Sequence, residues 1–303
     1  MKKMEEEIDL YFFRCYDEDK YDQRRVKMKK ILASLMMVGL VFCLGGCNVP
    51  WMQQKTEKTK AAKVIQADKV EGTMKGMELK VGVSNDMAPF SYYDSEQKKI
   101  TGFDIDLLDK LSEYLGFEYE LYPMNMKKLE QKIKNKELDL AIAGISITDE
   151  RQREFSFTDT YYETYLQIVV RKDSQITDRK EITEKKVGVV EGTSSAQYAE
   201  DYLSEDNKIT YYKNITKVWN DLEKGTIDAT IYDTTGIQNY MQEHADDTNL
   251  SVLNEQLNSE ESNYGIMFAK GYKYLDQFNV ALQVLNNDGT YQKLKEQWIK
   301  TKE

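Results

Sequence analysis

Arg151 lies where a short apolar segment gives way to a helix, a position that suits an arginine that binds an anion. Residues 138–144, LDLAIAG, predict a buried strand, and Thr148 predicts an N-cap followed by two acidic residues. Unpaired N–H groups at a helix start attract anions, and a guanidinium adds a two-pronged contact that a lysine cannot reproduce. The pattern indicates a carboxylate site. The alternative is a solvated ion pair with Glu154 or Asp159.

The composition narrows the possible functions. A chain of 303 residues that is 41% hydrophobic and 11% aromatic is long enough for two lobes with separate cores. The net charge of -10 argues against nucleic acid as the main partner, because phosphate binding needs a clustered basic surface. The three cysteines all lie within the first 47 residues, so the rest of the sequence offers no disulfide framework and no cysteine metal site. We expect no metal and no cofactor.

Residues 28–46 have the pattern of an export signal. A basic start precedes an apolar run that is shorter than the ~20 residues of a permanent membrane span. The following LGGC, ending at Cys47, resembles a bacterial lipobox. This resemblance implies that Cys47 carries acyl chains such as palmitate, which anchor the protein at the extracytoplasmic face of the cell membrane. A plain signal peptide and an uncleaved anchor are the alternatives.

The residues on either side of this signal are polar. Residues 1–27 are charged and acidic, which no export leader needs, so we predict that they are a mis-assigned extension and that Met28 is the true start. Residues 47–77 are lysine-rich and lack an apolar period. They are predicted to form a flexible tether between the lipid and the folded body.

Strand and helix patterns alternate twice along the exported body. The first cycle begins at Leu79 and includes a helix with an apolar face that ends before Gly116. The second cycle begins at Lys186 with the strand VGVV and continues to the strand DATIYD. Alternation of this kind predicts an α/β fold with wound, mainly parallel sheets.

Seven motifs occur along the body in a fixed order: KVGVSNDMAPFSYYD, KITGFDIDLLDKL, LDLAIAGISITDERQREFSFTDTYY, KKVGVVEGTSSAQY, GTIDATIYD, NYGIMFAKG and ALQVLNNDGTYQKLKEQW. Together they resemble the bacterial extracellular solute-binding proteins of family 3, which deliver polar amino acids to ABC importers. The resemblance covers roughly residues 79–299. It implies a two-lobed, periplasmic-binding-protein-like (type II) fold with a two-strand hinge, the crossings falling near residues 167–171 and 263–268. Lobe 1 is then expected over residues 78–170 and 265–303, and lobe 2 over residues 171–264.

The same resemblance implies which residues hold the carboxylate of an amino acid. Arg151 is similar to the arginine that clamps the ligand α-carboxylate, and Ser146 and the backbone of Gly144 are similar to its neighbours. On the second lobe, Thr193 and Ser194 resemble a turn at a helix start that contacts the same carboxylate. A tight turn after a glycine is the local alternative for this pair.

The opposite end of the ligand is assigned to Asp233, which resembles the aspartate that pairs with the α-ammonium. A zwitterion needs a fork-shaped cation at one end and a carboxylate at the other, both desolvated when the lobes close. The local alternative, which is compatible with the first, is that Asp233 caps the helix that follows it.

Departures from the family pattern bear on specificity. Met87 and Met126 stand where relatives often carry aromatic residues, and Ser84 replaces an acid of the proteins that bind cationic amino acids. Two methionines form an adaptable wall, so we expect an uncharged or sulfur-containing side chain rather than a cationic one. Met126 could instead belong to the core, and Phe90 could supply aromatic surface. A Glu191 turned inward would favour a cationic ligand.

The resemblance implies a lipid-anchored binding protein without chemistry, which takes a free amino acid to an ABC transporter permease. We expect a monomer with no nucleic-acid partner. Two alternatives share the fold: an enzyme similar to cyclohexadienyl dehydratase, for which Glu191 and Asp86 are the candidate acids, and a ligand-sensing domain. The sequence leaves open which amino acid is bound.

Overall fold

The chain builds two five-stranded sheets, and the computed structural model in which they are seen describes residues 69–299. The strands are β1 (Glu78–Val83), β2 (Asp86–Met87), β3 (Ser91–Asp94), β4 (Lys99–Thr101), β5 (Glu118–Pro123), β6 (Leu140–Ala141), β7 (Phe155–Phe157), β8 (Leu166–Arg171), β9 (Lys186–Val190), β10 (Lys208–Tyr212), β11 (Ala229–Asp233), β12 (Leu250–Val252) and β13 (Met267–Ala269). The α-helices are α1 (Phe103–Leu115), α2 (Met126–Lys134), α3 (Asp149–Glu154), α4 (Ser194–Leu203), α5 (Ile215–Glu223), α6 (Thr234–Glu243), α7 (Leu275–Asn287) and α8 (Thr290–Trp298).

The first sheet has the order β5-β1-β6-β13-β7 and forms lobe 1. Its strands β5, β1 and β6 are parallel, whereas β13 pairs antiparallel with both of its neighbours. Helix α1 buries an apolar stripe beside this sheet, including Leu107, Leu111 and Leu115. The helix ends at Gly116, whose φ of 84° is the left-handed conformation that favours glycine.

The second sheet has the order β10-β9-β11-β8-β12 and forms lobe 2. Strands β10, β9 and β11 are parallel, whereas β8 runs antiparallel between β11 and β12. Helices α4 and α5 follow β9 and β10 along the chain, as the second strand and helix cycle of the sequence predicts. Both lobes are therefore α/β, which confirms the predicted fold class.

The crossings between the lobes differ from those expected. Strand β8 pairs with β11 and β12, so it belongs to lobe 2, and the expected boundary after Val170 and the crossing at residues 167–171 are wrong. The chain has already crossed before Leu166. An apolar run such as LQIVV predicts a buried strand but does not say which sheet it joins. On the return, isolated bridges pair Tyr264 with Ser146 and with Tyr162, close to the crossing expected at residues 263–268.

The predicted tether is too long at its C-terminal end. Val70 and Met74 are 1% and 0% exposed, and both belong to the core of lobe 1. Backbone N–H groups of Gly72 and Met74 donate to Tyr114 and Leu115 at the end of α1. The two apolar residues are four positions apart and have charged neighbours. The sequence pattern therefore does not predict the short turn that they stabilise.

No helix among residues 69–299 combines the length and the apolar content needed to cross a bilayer. The predicted export signal and Cys47 lie outside the described residues. Lipid anchoring therefore stays a prediction.

Candidate ligand-binding cleft

Arg151 joins the two lobes from the first turn of α3. The Thr148 hydroxyl accepts a hydrogen bond from Arg151 N at 3.2 Å, which is the predicted N-cap. The guanidinium is buried and donates from Nη1 to Ser146 O at 3.0 Å and from Nη2 to Gly192 O in lobe 2 at 2.9 Å. Its Nε pairs with Glu130 at 2.8 Å. Three of its five N–H groups are engaged in this way, which leaves donors for a carboxylate. The solvated pair with Glu154 or Asp159 is not formed.

The turn between β9 and α4 faces Arg151 from lobe 2. Thr193 caps α4, since its Oγ1 accepts from Ala196 N at 3.2 Å and donates to Val190 O at 2.8 Å. This hydroxyl therefore already forms two hydrogen bonds within its own turn and helix. Ser194 Oγ lies 2.9 Å from Ser146 Oγ across the cleft, so the structure brings the two predicted serines together.

Asp233 closes β11 and begins α6, but its side chain does not cap that helix. The residue is 4% exposed, and burial raises the pKa of its carboxyl to about 6. The Tyr264 hydroxyl and the positive charge of Arg151 offset part of that rise. Within residues 69–299 no lysine or arginine forms an ion pair with this carboxyl, and its Oδ1 has no hydrogen-bond partner. An unpaired buried carboxyl near Arg151 suits a ligand ammonium.

Gly144 lies beside Met87 and Tyr264, and its φ is +56°. A Cβ at this position would lie 3.0 Å from Met87 Cε and 3.3 Å from Tyr264 Cε2, so glycine is favoured here. Its N–H donates to Asp104 Oδ2 at 2.8 Å, and Tyr161 Oη donates to Asp104 Oδ1 at 2.9 Å. Asp104 is fully buried, which raises its pKa to about 7.

Met87 lies beside Gly144 in lobe 1 and also contacts lobe 2. The Tyr232 hydroxyl of lobe 2 donates to Met87 Sδ at 2.9 Å. Nearby, Ser84 donates to Asp86 Oδ1 at 2.9 Å, and Asp86 Oδ2 accepts from Ile215 N, the first residue of α5, at 3.3 Å. Asp86 thus already has partners on both lobes.

The other residues predicted for the side-chain end have different positions. Glu191 pairs with Lys127 at 2.5 Å across the cleft, and Lys127 lowers the pKa of Glu191. Met126 is half-buried and packs against a small core cluster of lobe 1. Phe90 is fully buried, and its ring packs edge-on against the ring of Tyr264. Its aromatic surface therefore faces the core and is not exposed.

A groove of about 820 Å³ runs along the lobe junction, and its walls include Arg151, Gly192 and Ser194. Asp233 and Met87 do not line it. Among residues 69–299, no three histidine, cysteine or acidic side chains gather in a way that could hold a metal ion.

Sequence reasoning missed several buried residues that contact the predicted site residues, notably Tyr264, Tyr232 and Asp104. Each lies in a segment whose apolar neighbours predict core packing. The signal available for Asp104 was an acid within the first turn of a helix that is otherwise apolar on that face. For Tyr264 the signal was a tyrosine beside a glycine in the segment expected to cross between the lobes.

Comparison with known proteins agrees with the resemblance seen in the sequence. A sequence model of the bacterial extracellular solute-binding proteins, family 3, matches residues 79–301. The arginine-binding extracellular protein ArtP of Bacillus subtilis (strain 168) is 29% identical over 273 residues, which cover 90% of this chain and 98% of that protein. The L-cystine-binding protein TcyJ of Escherichia coli (strain K12) is 30% identical over 224 residues, which cover 73% of this chain and 82% of that protein.

Among solved structures, an ancestral arginine-binding protein bound to arginine matches with a TM-score of 0.68 and 31% identity, covering 74% of this chain and 98% of that chain. The predicted two-lobed, type II periplasmic-binding-protein-like fold is confirmed by this likeness. The relatives are named for binding.

Proposed function

The chain belongs to family 3 of the bacterial extracellular solute-binding proteins, and we propose that it binds a free amino acid by both of its charged ends and delivers it to an ABC importer. The observation that carries the proposal is the pairing of opposite charges at one lobe junction. Arg151 comes from lobe 1 and retains free donors, whereas Asp233 comes from lobe 2 and has no cationic partner among the described residues. A dipolar ligand satisfies both.

Delivery depends on closure of the lobes around the ligand. Several contacts already run from lobe to lobe, among them Tyr162 Oη to Thr235 Oγ1 at 2.9 Å and the contacts of Arg151 and Ser146. A ligand that touches Arg151 and Asp233 at once adds contacts only when the lobes are closed. It therefore shifts the population toward the closed form.

The preferred ligand carries an uncharged side chain. Glu191, the acid that could attract a cationic group, is paired with Lys127, and Asp86 is held by Ser84 and by the start of α5. Met87 contributes a polarisable thioether at the same end. Relatives are named for different ligands, arginine and L-cystine among them, so the family alone does not fix the choice.

The protein acts at the extracytoplasmic face of the cell membrane, held by acyl chains on Cys47. The motif LGGC after an apolar run supports this anchor, and the extracellular placement of the family agrees with it. No chemistry is required of the cleft. A binding role is also what the names of the relatives describe.

A thermal-shift screen of the common L-amino acids tests the proposal. A ligand that binds only the native protein raises Tm, and we expect one or a few amino acids with uncharged side chains to do so. The same screen on the variant Asp233→Asn should give no shift. The absence of any shift with the wild-type protein would contradict the proposed function.

A further inference from the structure

Two buried polar atoms near the predicted ligand residues have no hydrogen-bond partner within residues 69–299, Asp233 Oδ1 and Tyr264 Oη. Tyr264 is 0% exposed and Asp233 is 4% exposed, so water does not reach either side chain freely. Buried polar groups without partners are rare, and each one calls for a cause. Here the two groups interact, since the Tyr264 hydroxyl lowers the pKa of Asp233 and the Asp233 carboxyl raises that of Tyr264.

Tyr264 also touches the other residues expected to hold a ligand. It pairs through its backbone with Ser146, and its ring carbon Cε2 is 3.3 Å from the position that a Cβ on Gly144 would take. The ring is fixed by its neighbours, with the Phe90 ring 5.0 Å and the Tyr162 ring 5.8 Å away between centroids. A rigid ring that holds an unpartnered hydroxyl beside Asp233 is preorganised for a ligand.

We propose that Tyr264 is a ligand-contacting residue, which accepts a hydrogen bond from the α-ammonium of the bound amino acid while donating its own proton to Asp233. This deepens the proposed function and rests on it. An ammonium has three N–H donors and needs three acceptors when it is desolvated. Asp233 supplies one and the phenol oxygen of Tyr264 a second. The phenol proton fills the vacant position at Asp233 Oδ1.

The test compares Tyr264→Phe with a matched variant, Tyr272→Phe. The Tyr272 hydroxyl is also buried without a partner, but its ring stacks on Phe268 at 4.6 Å and does not reach the predicted ligand residues. Each variant removes one orphan hydroxyl. Because the lost hydroxyl had no partner in the ligand-free protein, we expect neither change to lower Tm without ligand.

L-Glutamine, L-methionine, L-cystine and L-arginine are titrated calorimetrically into the wild-type protein and both variants. For whichever of these the wild-type protein binds, Tyr264→Phe should weaken binding about 10-fold or more, and Tyr272→Phe should leave it unchanged within about twofold. The α-deamino analogue of that amino acid should bind Tyr264→Phe and the wild-type protein equally, since the group that Tyr264 contacts is missing.

Repeating the titrations at pH 8 distinguishes direct contact between Tyr264 and the ligand from an indirect effect of Tyr264 on the pKa of Asp233. The ionisable or charged groups that face the phenol are Asp233, Tyr232 and Tyr161, with Arg151 acting on Asp233. A loss of affinity that persists at pH 8, where Asp233 is ionised, supports direct contact. A loss that vanishes there, equal affinities at all pH values, or a matching fall in Tm without ligand would overturn the inference. Failure of the wild-type protein to bind any of the four amino acids would instead count against the proposed function.

Discussion

Arg151 in lobe 1 donates from Nη2 to the carbonyl oxygen of Gly192 in lobe 2 at 2.9 Å. The turn that carries Gly192 approaches lobe 1 closely, because a Cβ at this position would lie 3.2 Å from Lys127 N. Gly192 also has a φ of +77°, a backbone conformation that residues with a side chain rarely adopt. Lobe 1 therefore meets a turn of lobe 2 in which a side chain at position 192 would be both strained and tightly packed.

Gly192→Ala is expected to impede closure. The added methyl group meets the backbone of Lys127 only when the lobes are shut, so we expect the ligand Kd to rise at least about fivefold. Gly271→Ala is the matched control, because Gly271 has a φ of +75° but nothing within 4 Å of an added Cβ. Both variants lose roughly 1 kcal/mol of stability through backbone strain. Equal affinities of the two variants in calorimetry would contradict this role of Gly192.

Arg151→Lys should weaken amino-acid binding although it keeps the positive charge. An ammonium cannot contact Ser146 O, Gly192 O and a ligand carboxylate in the planar fork that a guanidinium provides. Disrupting a buried charge pair costs about 2 to 5 kcal/mol, so we expect a loss of roughly 30-fold or more. Lys99→Ala, which removes an exposed cation of lobe 1 outside the groove, should leave the affinity unchanged. Calorimetry that finds the two variants alike would remove Arg151 from the site.

The affinity should fall with acidity because the ammonium needs an ionised Asp233. With its pKa raised to about 6, the carboxyl is mostly charged at about pH 7 and mostly protonated at about pH 5. The Kd should therefore rise about 10-fold over that interval. Asp233→Asn binds weakly at every pH, and its Kd should not vary over the same interval. A pH-independent Kd in the wild-type protein would argue that Asp233 does not pair with the ligand.

Much of the fold and part of the site follow from the sequence in physical terms. The N-cap at Thr148 and the buried strand before it place Arg151 correctly, because local hydrogen bonding and the apolar pattern decide both. The strand that ends at Asp233 can likewise be predicted from its local apolar pattern. By contrast, the sheet to which Leu166–Arg171 belongs depends on pairing with β11 and β12, which no local pattern reveals.

Other features escaped prediction because they arise only when distant segments meet. Lys127 and Glu191 are 64 positions apart, and their pairing depends on how the two lobes meet. Tyr264 has the residue type of a core position, and its unpartnered hydroxyl becomes evident only beside Asp233. The charged neighbours of Val70 and Met74 predict a tether, yet both residues are buried in lobe 1.

Asp104 should make the ligand-free protein less stable as the pH rises. Its pKa is raised by burial to about 7, so the folded state holds a proton that the unfolded state has already released. The free energy of unfolding therefore declines between about pH 4 and pH 7.5, by an amount on the order of 4 kcal/mol from this group. Asp104→Asn should reduce that decline in urea unfolding. Glu113→Gln, an exposed change on the same helix, should not; equal slopes for all three proteins would refute the assignment.

The central claim is that both charged ends of one small molecule are gripped at once, by Arg151 and by Asp233. Its most direct test is calorimetry with the amino acid that gives the largest thermal shift, compared with its methyl ester and its N-acetyl derivative. Each derivative removes one charge and leaves the side chain unchanged. We predict that blocking either end weakens binding by about 30-fold or more. Binding of either blocked derivative with the affinity of the free amino acid would contradict the account.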